Sequence, residues 1–186
     1  QFGWAIDTDN TGRFVVVGAP TANSSVGYAR VYSISSTNTP NLLFTTSQLV
    51  AASSLTGFSV SISGLGNVIA VGAPGHNSNN GGVLIYTNNN GIITYNTLIS
   101  PSAPGAYVGQ FVKLNHDGTV LAIGELLFDV NFGRVWIYKF TTSWNLVQVI
   151  DRPADTFYFG DVISMNSNGN KIFIGSRSAI TGGIFC

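Results

Sequence analysis

The stretch FGWAIDTDNTGRFVVVGAP, Phe2 to Pro20, returns as TGFSVSISGLGNVIAVGAP from Thr56 to Pro74, and that recurrence decides the fold. Degraded copies follow as VGQFVKLNHDGTVLAIGEL from Val108 and FGDVISMNSNGNKIFIGSR from Phe159. Three glycine columns hold the copies in register: Gly3, Gly57, Gly109, Gly160; then Gly12, Gly66, Gly118, Gly169; then Gly18, Gly72, Gly124, Gly175. On the last column the steps are 54, 52 and 51 residues, a period expected of propeller blades and longer than most helical repeats.

Within each period, runs of Val, Ile, Phe and Tyr are bounded by Gly, Asn, Asp and Ser clusters, which reads as strand throughout. Four strands fit one period. The first repeat predicts Gly3 to Asp9, Arg13 to Val17, Tyr28 to Ile34 and Leu42 to Val50; the second, Phe58 to Ser63, Val68 to Val71, Val83 to Thr87 and Ile92 to Ile99. The third predicts Gln110 to Asn115, Val120 to Ile123, Arg134 to Phe140 and Trp144 to Ile150, and the fourth Asp161 to Asn166, Lys171 to Ile174 and Ile184 to Cys186. Asn10-Thr11-Gly12, Leu65-Gly66-Asn67, Asp117-Gly118 and Asn168-Gly169 are hairpin residues that accept positive φ, so the first two strands of each repeat pair antiparallel. Gly-Ala-Pro at 18–20 and 72–74 ends the second strand, because Pro cannot donate to a ladder. No helix is needed. The expected fold is an all-β propeller of four-stranded antiparallel blades, with about 3.75 blades at 1–53, 54–106, 107–157 and an incomplete 158–186. Because the fourth copy stops in mid-pattern, we read the chain as part of a larger ring.

Eight Lys and Arg balance eight Asp and Glu among 186 residues, and only 9% of the chain is charged. With no basic footprint, nucleic-acid binding is not expected. No apolar run approaches the roughly 20 residues of a spanning helix, so no membrane insertion is expected. The single cysteine, Cys186, excludes an internal disulfide or a thiolate zinc site within these residues.

The Phe-Gly opening at 2–3 and the Gly-Ala-Pro closings at 18–20 and 72–74 resemble the FG-GAP repeat, the blade unit of integrin-alpha-type β-propellers. The resemblance extends over three blades and most of a fourth. It implies a calcium site in the first hairpin loop, of the form Asp-x-Asp-x-Asp-Gly with a further Asp. The matching positions are Asp7, Asp9 and Thr11 before Gly12; Val15 stands where the further acidic ligand is expected. The corresponding residues Ser61, Ser63 and Leu65, then Lys113, Asn115 and Asp117, then Ser164, Asn166 and Asn168 read as plain hairpins. Calcium needs six to eight oxygen ligands, so Asp7 and Asp9 are the only candidate metal residues and a solvated turn is the competing reading.

His116 beside Asp117 has acid–base potential, although a turn position explains both. His76 lies in a loop of variable polarity with no titratable neighbour in sequence. Glu125, Asp129, Asp151, Asp155 and Asp161 make the second half acidic, and a converging pair would resemble a glycosidase couple. Trp4, Phe58, Trp136 and the column Tyr32, Tyr86, Tyr138 are read as blade packing, with carbohydrate stacking as the alternative. Asn23-Ser24-Ser25 is a glycosylation acceptor pattern. No catalytic residue and no cofactor is assigned. The expected function is a non-catalytic structural or adhesion module of an extracellular, cell-surface or virus-particle assembly, contacting a protein or glycan partner through its loops. The alternatives are a calcium-dependent integrin-like adhesion module and a propeller hydrolase acting on glycans.

Overall fold

A computed structural model of the protein describes residues 1–47, 52–100, 107–127, 132–154, 156–179 and 183–185. The first sheet contains β1 (Ala5–Thr8), β2 (Phe14–Ala19), β3 (Tyr28–Ile34) and β4 (Pro40–Thr45). The second contains β5 (Val60–Ile62), β6 (Val68–Gly72), β7 (Val83–Asn89) and β8 (Ile92–Ile99). The third contains β9 (Val108–Leu114), β10 (Val120–Glu125), β11 (Arg134–Phe140) and β12 (Trp144–Asp151); the last contains β13 (Thr156–Met165), β14 (Ile172–Ala179) and β15 (Gly183–Phe185). Every sheet follows chain order with antiparallel neighbours. The first strands of successive sheets meet, β1 with β5, β5 with β9 and β9 with β13, so they form the inner wall. This is a β-propeller of three four-stranded blades and a fourth with three described strands.

Three strands have the ends predicted from sequence: β3, β8 and β11. β13 instead starts at Thr156, before the expected Asp161, because pairing resumes beyond a bulge as Thr156 opposite Ala179 and Phe157 opposite Ser178. β4 starts at Pro40, tolerated on an outer edge strand where no N–H is required. Residues 48–50 of the expected fourth strand lie outside the described residues.

The first hairpin of each blade is closed by one column. Asp9 Oδ1 accepts from Phe14 N at 2.8 Å, Ser63 Oγ from Val68 N at 3.1 Å, Asn115 Oδ1 from Val120 N at 2.9 Å and Asn166 Oδ1 from Lys171 N at 2.9 Å. A short polar side chain facing its own turn satisfies an N–H that the ladder leaves unpaired.

The other glycine columns form the joints between blades. Gly57, Gly109 and Gly160 have φ of +86°, +90° and +92°, which only glycine adopts freely. Their carbonyls press against Gly18, Gly72 and Gly124 of the preceding blade, where an added Cβ would collide with that oxygen. Beside this joint Gly27 bridges Thr56 and Gly81 bridges Val108 in parallel, while Phe159 N donates to Phe132 O at 3.0 Å. The apolar cores also lie between blades. Val16, Val31, Ile62, Ile69 and Tyr86 fill the first; Ala70, Ile85, Val112 and Leu121 the second; Ala122, Val135, Phe159 and Ile163 the third. Each fully buried aliphatic side chain contributes about 1.5–3 kcal/mol, so the stacking of blades holds the fold.

Two short turns, 22–25 and 76–79, are helical but left-handed: Asn23, Ser24 and Ser25 have φ of 51°, 55° and 66°, and Asn77, Ser78 and Asn79 of 50°, 56° and 70°. The repeated Asn-Ser pair, read from sequence only as loop, marks them. Their carbonyls at Ser25 and Val26 accept from Leu55 N and Thr56 N, and those at Asn79 and Asn80 from Tyr107 N and Val108 N, fastening each turn to the next blade.

Candidate functional site at the inner wall

A cavity of about 280 Å³ opens where the first hairpins of all four blades converge. Thr8 and Asn10 come from blade 1, Gly64 from blade 2, Lys113 and His116 from blade 3, and Asn166 and Ser167 from blade 4. Among the described residues, two larger hollows each collect residues of two blades. The convergence follows from the repeat: Asn10, Gly64, His116 and Ser167 occupy one column. Asn10 N donates to Gly64 O at 3.0 Å, Leu65 N to His116 O at 2.9 Å and His116 N to Ser167 O at 2.9 Å, so a backbone chain runs around the rim.

Two side-chain ties cross from blade 1 to blade 3 over the small residues of blade 2. His116 Nδ1 lies 2.9 Å from Asn10 Nδ2, and the imidazole occupies the space a side chain at position 64 would fill. Deeper, Lys113 Nζ reaches Asp7 Oδ2 at 3.2 Å. The same oxygen accepts from Ser61 Oγ at 2.9 Å and Ile62 N at 3.1 Å, and Ser61 Oγ accepts from Leu114 N at 3.1 Å. The partly exposed ion pair alone is worth little, about 0–1 kcal/mol; its hydrogen bonds to blade 2 give it a fixed geometry.

Asp7 therefore serves the inner wall. Asp9 is buried and serves its own turn, accepting from Phe14 N and from Thr11 Oγ1 at 2.5 Å. Among the described residues no three His, Cys, Asp or Glu side chains are grouped to hold a metal ion. His116 pairs with Asn10 rather than Asp117, which is exposed and whose carbonyl accepts from Asn67. His76 stands apart at a left-handed turn, its imidazole pushed below its ordinary value by burial.

The acidic residues of the second half have separate structural partners. Glu125, fully buried, stands where blades 1 and 2 have the alanine of Gly-Ala-Pro, and its carboxylate receives the Arg134 guanidinium and the Trp136 indole N–H at 2.5 Å. Asp161 pairs with Arg177 at 3.1 Å, and Asp151 is an exposed strand end opposite Arg134. Asp129, Asp155 and Cys186 lie outside the described residues. In the tyrosine column Tyr86 and Tyr138 are buried, and burial raises both phenols, with Tyr95 adding at Tyr86 and Glu125 at Tyr138. Trp4 is half-exposed and tilts against Phe58 with ring centroids 5.6 Å apart.

The residues that sequence reasoning missed are Asn10, Gly64, Lys113 and Ser167. The signal for Lys113 is vertical: in the column Asp7, Ser61, Lys113, Ser164 an acid and a base stand two blades apart with a small residue between.

The site thus presents amide, hydroxyl, imidazole and ammonium groups on a propeller scaffold. No protein-family model and no curated protein matches the chain. Solved structures similar to it are propeller-type folds. A protein from Bacteroides uniformis assigned as a 6-phosphogluconolactonase aligns over 97% of this chain and 52% of its own, at 13% identity and TM-score 0.65. Sqt1 from Chaetomium thermophilum aligns over 94% and 40%, at 15% identity and TM-score 0.64; TolB from Acinetobacter baumannii over 97% and 42%, at 10% and 0.54. The chain spans about half or less of these proteins' length. At such identity the likeness shows the fold alone. Among the described residues no helix is long and apolar enough to cross a membrane.

Proposed function

We propose that the chain is a non-catalytic binding or structural propeller module of the FG-GAP type, in an extracellular, cell-surface or virus-particle assembly, with a protein or glycan as its partner. The carrying observation is how the charged side chains are used. Asp7, Glu125 and Asp161 are each tied to a cation within the fold, which leaves recognition to the Asn, Ser, Thr and His groups around the four-blade cavity. Such groups fix the orientation of a polar partner without supplying a nucleophile and base in contact. The sparse charge and the glycosylation acceptor at Asn23 support an outside location.

The test pairs a turnover screen with a binding screen. Purified protein is incubated with glycan and ester panels and applied to a glycan array. The expected outcome is no turnover, with any captured glycan lost on Asn10→Ala or Ser167→Ala. Turnover abolished by Glu125→Gln or Asp161→Asn would overturn the reading.

A further inference from the structure

Between blades 2 and 3 the repeat leaves open a space that it fills between blades 1 and 2. Strands β4, β8 and β12 each shift register at the same place, opposite Val31 and Tyr32, Ile85 and Tyr86, and Ile137 and Tyr138. Such a bulge inserts one residue and re-aims the side chains around it. In blade 1 the bulged residue and its successor are Leu43 and Phe44, which pack into the first core, Phe44 against Tyr86 with ring centroids 5.5 Å apart. In blade 2 the same two places hold Asn96 and Thr97. Phe14, 5% exposed on β2, has Val68 as its counterpart on β6. Three bulky apolar side chains thus give way to two polar ones and a smaller aliphatic one.

What opens is a hollow of about 400 Å³, walled by Val68, Thr87 and Asn96 of blade 2 and by Asp117, Phe140 and Trp144 of blade 3. It continues past Asn96 and the two aromatic rings into a second hollow of about 360 Å³ that reaches Thr97 and Tyr138. Phe140, 39% exposed, tilts against Trp144 with ring centroids 5.5 Å apart, and Trp144 is braced on the second core. Among the described residues, the Asn96 carboxamide and the Asp117 carboxylate have no hydrogen-bond partner, and no Lys or Arg lines either hollow. Neither hollow shares a residue with the four-blade cavity.

We propose that this groove binds a neutral saccharide, with one sugar ring against Phe140 and Trp144 and its hydroxyls on Asn96 and Asp117. A sugar ring has a face of C–H groups, which suits the electron-rich face of an aromatic ring, and an edge of hydroxyls that both donate and accept. The carboxamide donates and accepts in turn, and the carboxylate accepts from two hydroxyls. An apolar peptide side chain would leave both groups covered and unpaired, and an anionic sugar would meet Asp117 with no cation to offset it. The first hollow lies within the range of small-molecule sites, about 300–1,000 Å³, and the second has room for a further sugar unit. That the partner is a glycan rests on the binding-module reading; that it sits here rests on the groove.

One or two sugar units hold too weakly to survive the washing of an array, so binding is read at equilibrium by NMR. Isotope-labelled protein is titrated into the millimolar range with maltotetraose, cellotetraose, mannotetraose and chitotetraose, and with sialyllactose as the anionic control. At least one neutral probe is expected to shift the Asn96 side-chain amide and the Trp144 indole signals to saturation, in wild type and in Asn10→Ala alike. Asn96→Leu restores the residue that blade 1 accommodates at this place and so keeps the fold; it is expected to abolish the Trp144 shift. No shift at Asn96 and Trp144 with any neutral probe, an equal response to sialyllactose, or a Trp144 shift that survives Asn96→Leu would overturn the groove. Shifts confined to Asn10 and His116 would overturn it too, while leaving the binding-module reading standing. Hydrolysis of a probe alongside the groove shifts would support the groove and overturn the non-catalytic reading.

Discussion

Asp9 shows how little distance separates a structural carboxylate from a metal ligand. Both its oxygens are used inside the turn, by Phe14 N and Thr11 Oγ1, so Asp9→Ala is expected to cost about 1–3 kcal/mol by stranding a buried N–H. Urea denaturation in calcium and in chelator checks this, the expected cost being the same in both; a calcium-dependent gain that Asp7→Ala or Asp9→Ala removes would restore the calcium loop. Gly64→Ala places a methyl 2.9 Å from His116 Cγ, separating the imidazole from Asn10. The expected loss is about 1–3 kcal/mol by overpacking, also read from urea midpoints. His76 carries the pH response. Burial lowers its pKa below 6.5, so below that pH the unfolded chain binds a proton that the folded chain resists. The stability it contributes is complete above pH 6.5 and declines as pH falls toward the lowered folded value. Denaturation midpoints at pH about 7.5 and about 5.5 should converge in His76→Asn relative to wild type. These roles were only partly legible in the sequence. The turn character of Asp9 and Asp117-Gly118 could be read locally, whereas the pairing of Asp7 with Lys113 depends on two blades folding around a third.

At the scale of elements, the strands were legible because their apolar runs pack in the cores between sheets and turn residues bracket them. Boundaries shifted at bulges, as in β13, where Gly160 interrupts the apolar run without ending the pairing. The left-handed turns at 22–25 and 76–79 were hidden, since Asn-Ser clusters signal a loop but not its hand. The glycine joint yields an element-level contrast. Gly72→Ala puts a methyl into the Gly109 carbonyl inside the arc, at a cost of about 1–3 kcal/mol or more. The identical change at Gly175, where an added Cβ would meet only Val162 at 3.5 Å, should leave the stability of the chain within about 0.5 kcal/mol of wild type. Thermal unfolding of both variants compares them directly.

For the whole molecule, stability is expected to be graded along the arc. Strands β6 and β10 belong to the most buried segments, while the side chains of β1 and residues 172–177 of β14 are mostly half-buried or exposed. Native-state hydrogen exchange should therefore show slowest exchange at Ile69 to Val71 and Leu121 to Ile123, and faster exchange in β1 and β14. Uniform protection along the chain would contradict that gradient. Repeat folds of this kind are usually treated as one-dimensional arrays in which each unit senses only its neighbours. Here the crossings from Asp7 to Lys113 and from Asn10 to His116 break that rule, since both skip blade 2. A spare repeat spliced between blades 3 and 4 would part the third apolar core and the His116 N to Ser167 O bond but leave both crossings intact. The same repeat spliced on either side of blade 2 would pull both crossings apart as well, so blades 1 to 3 behave as one block.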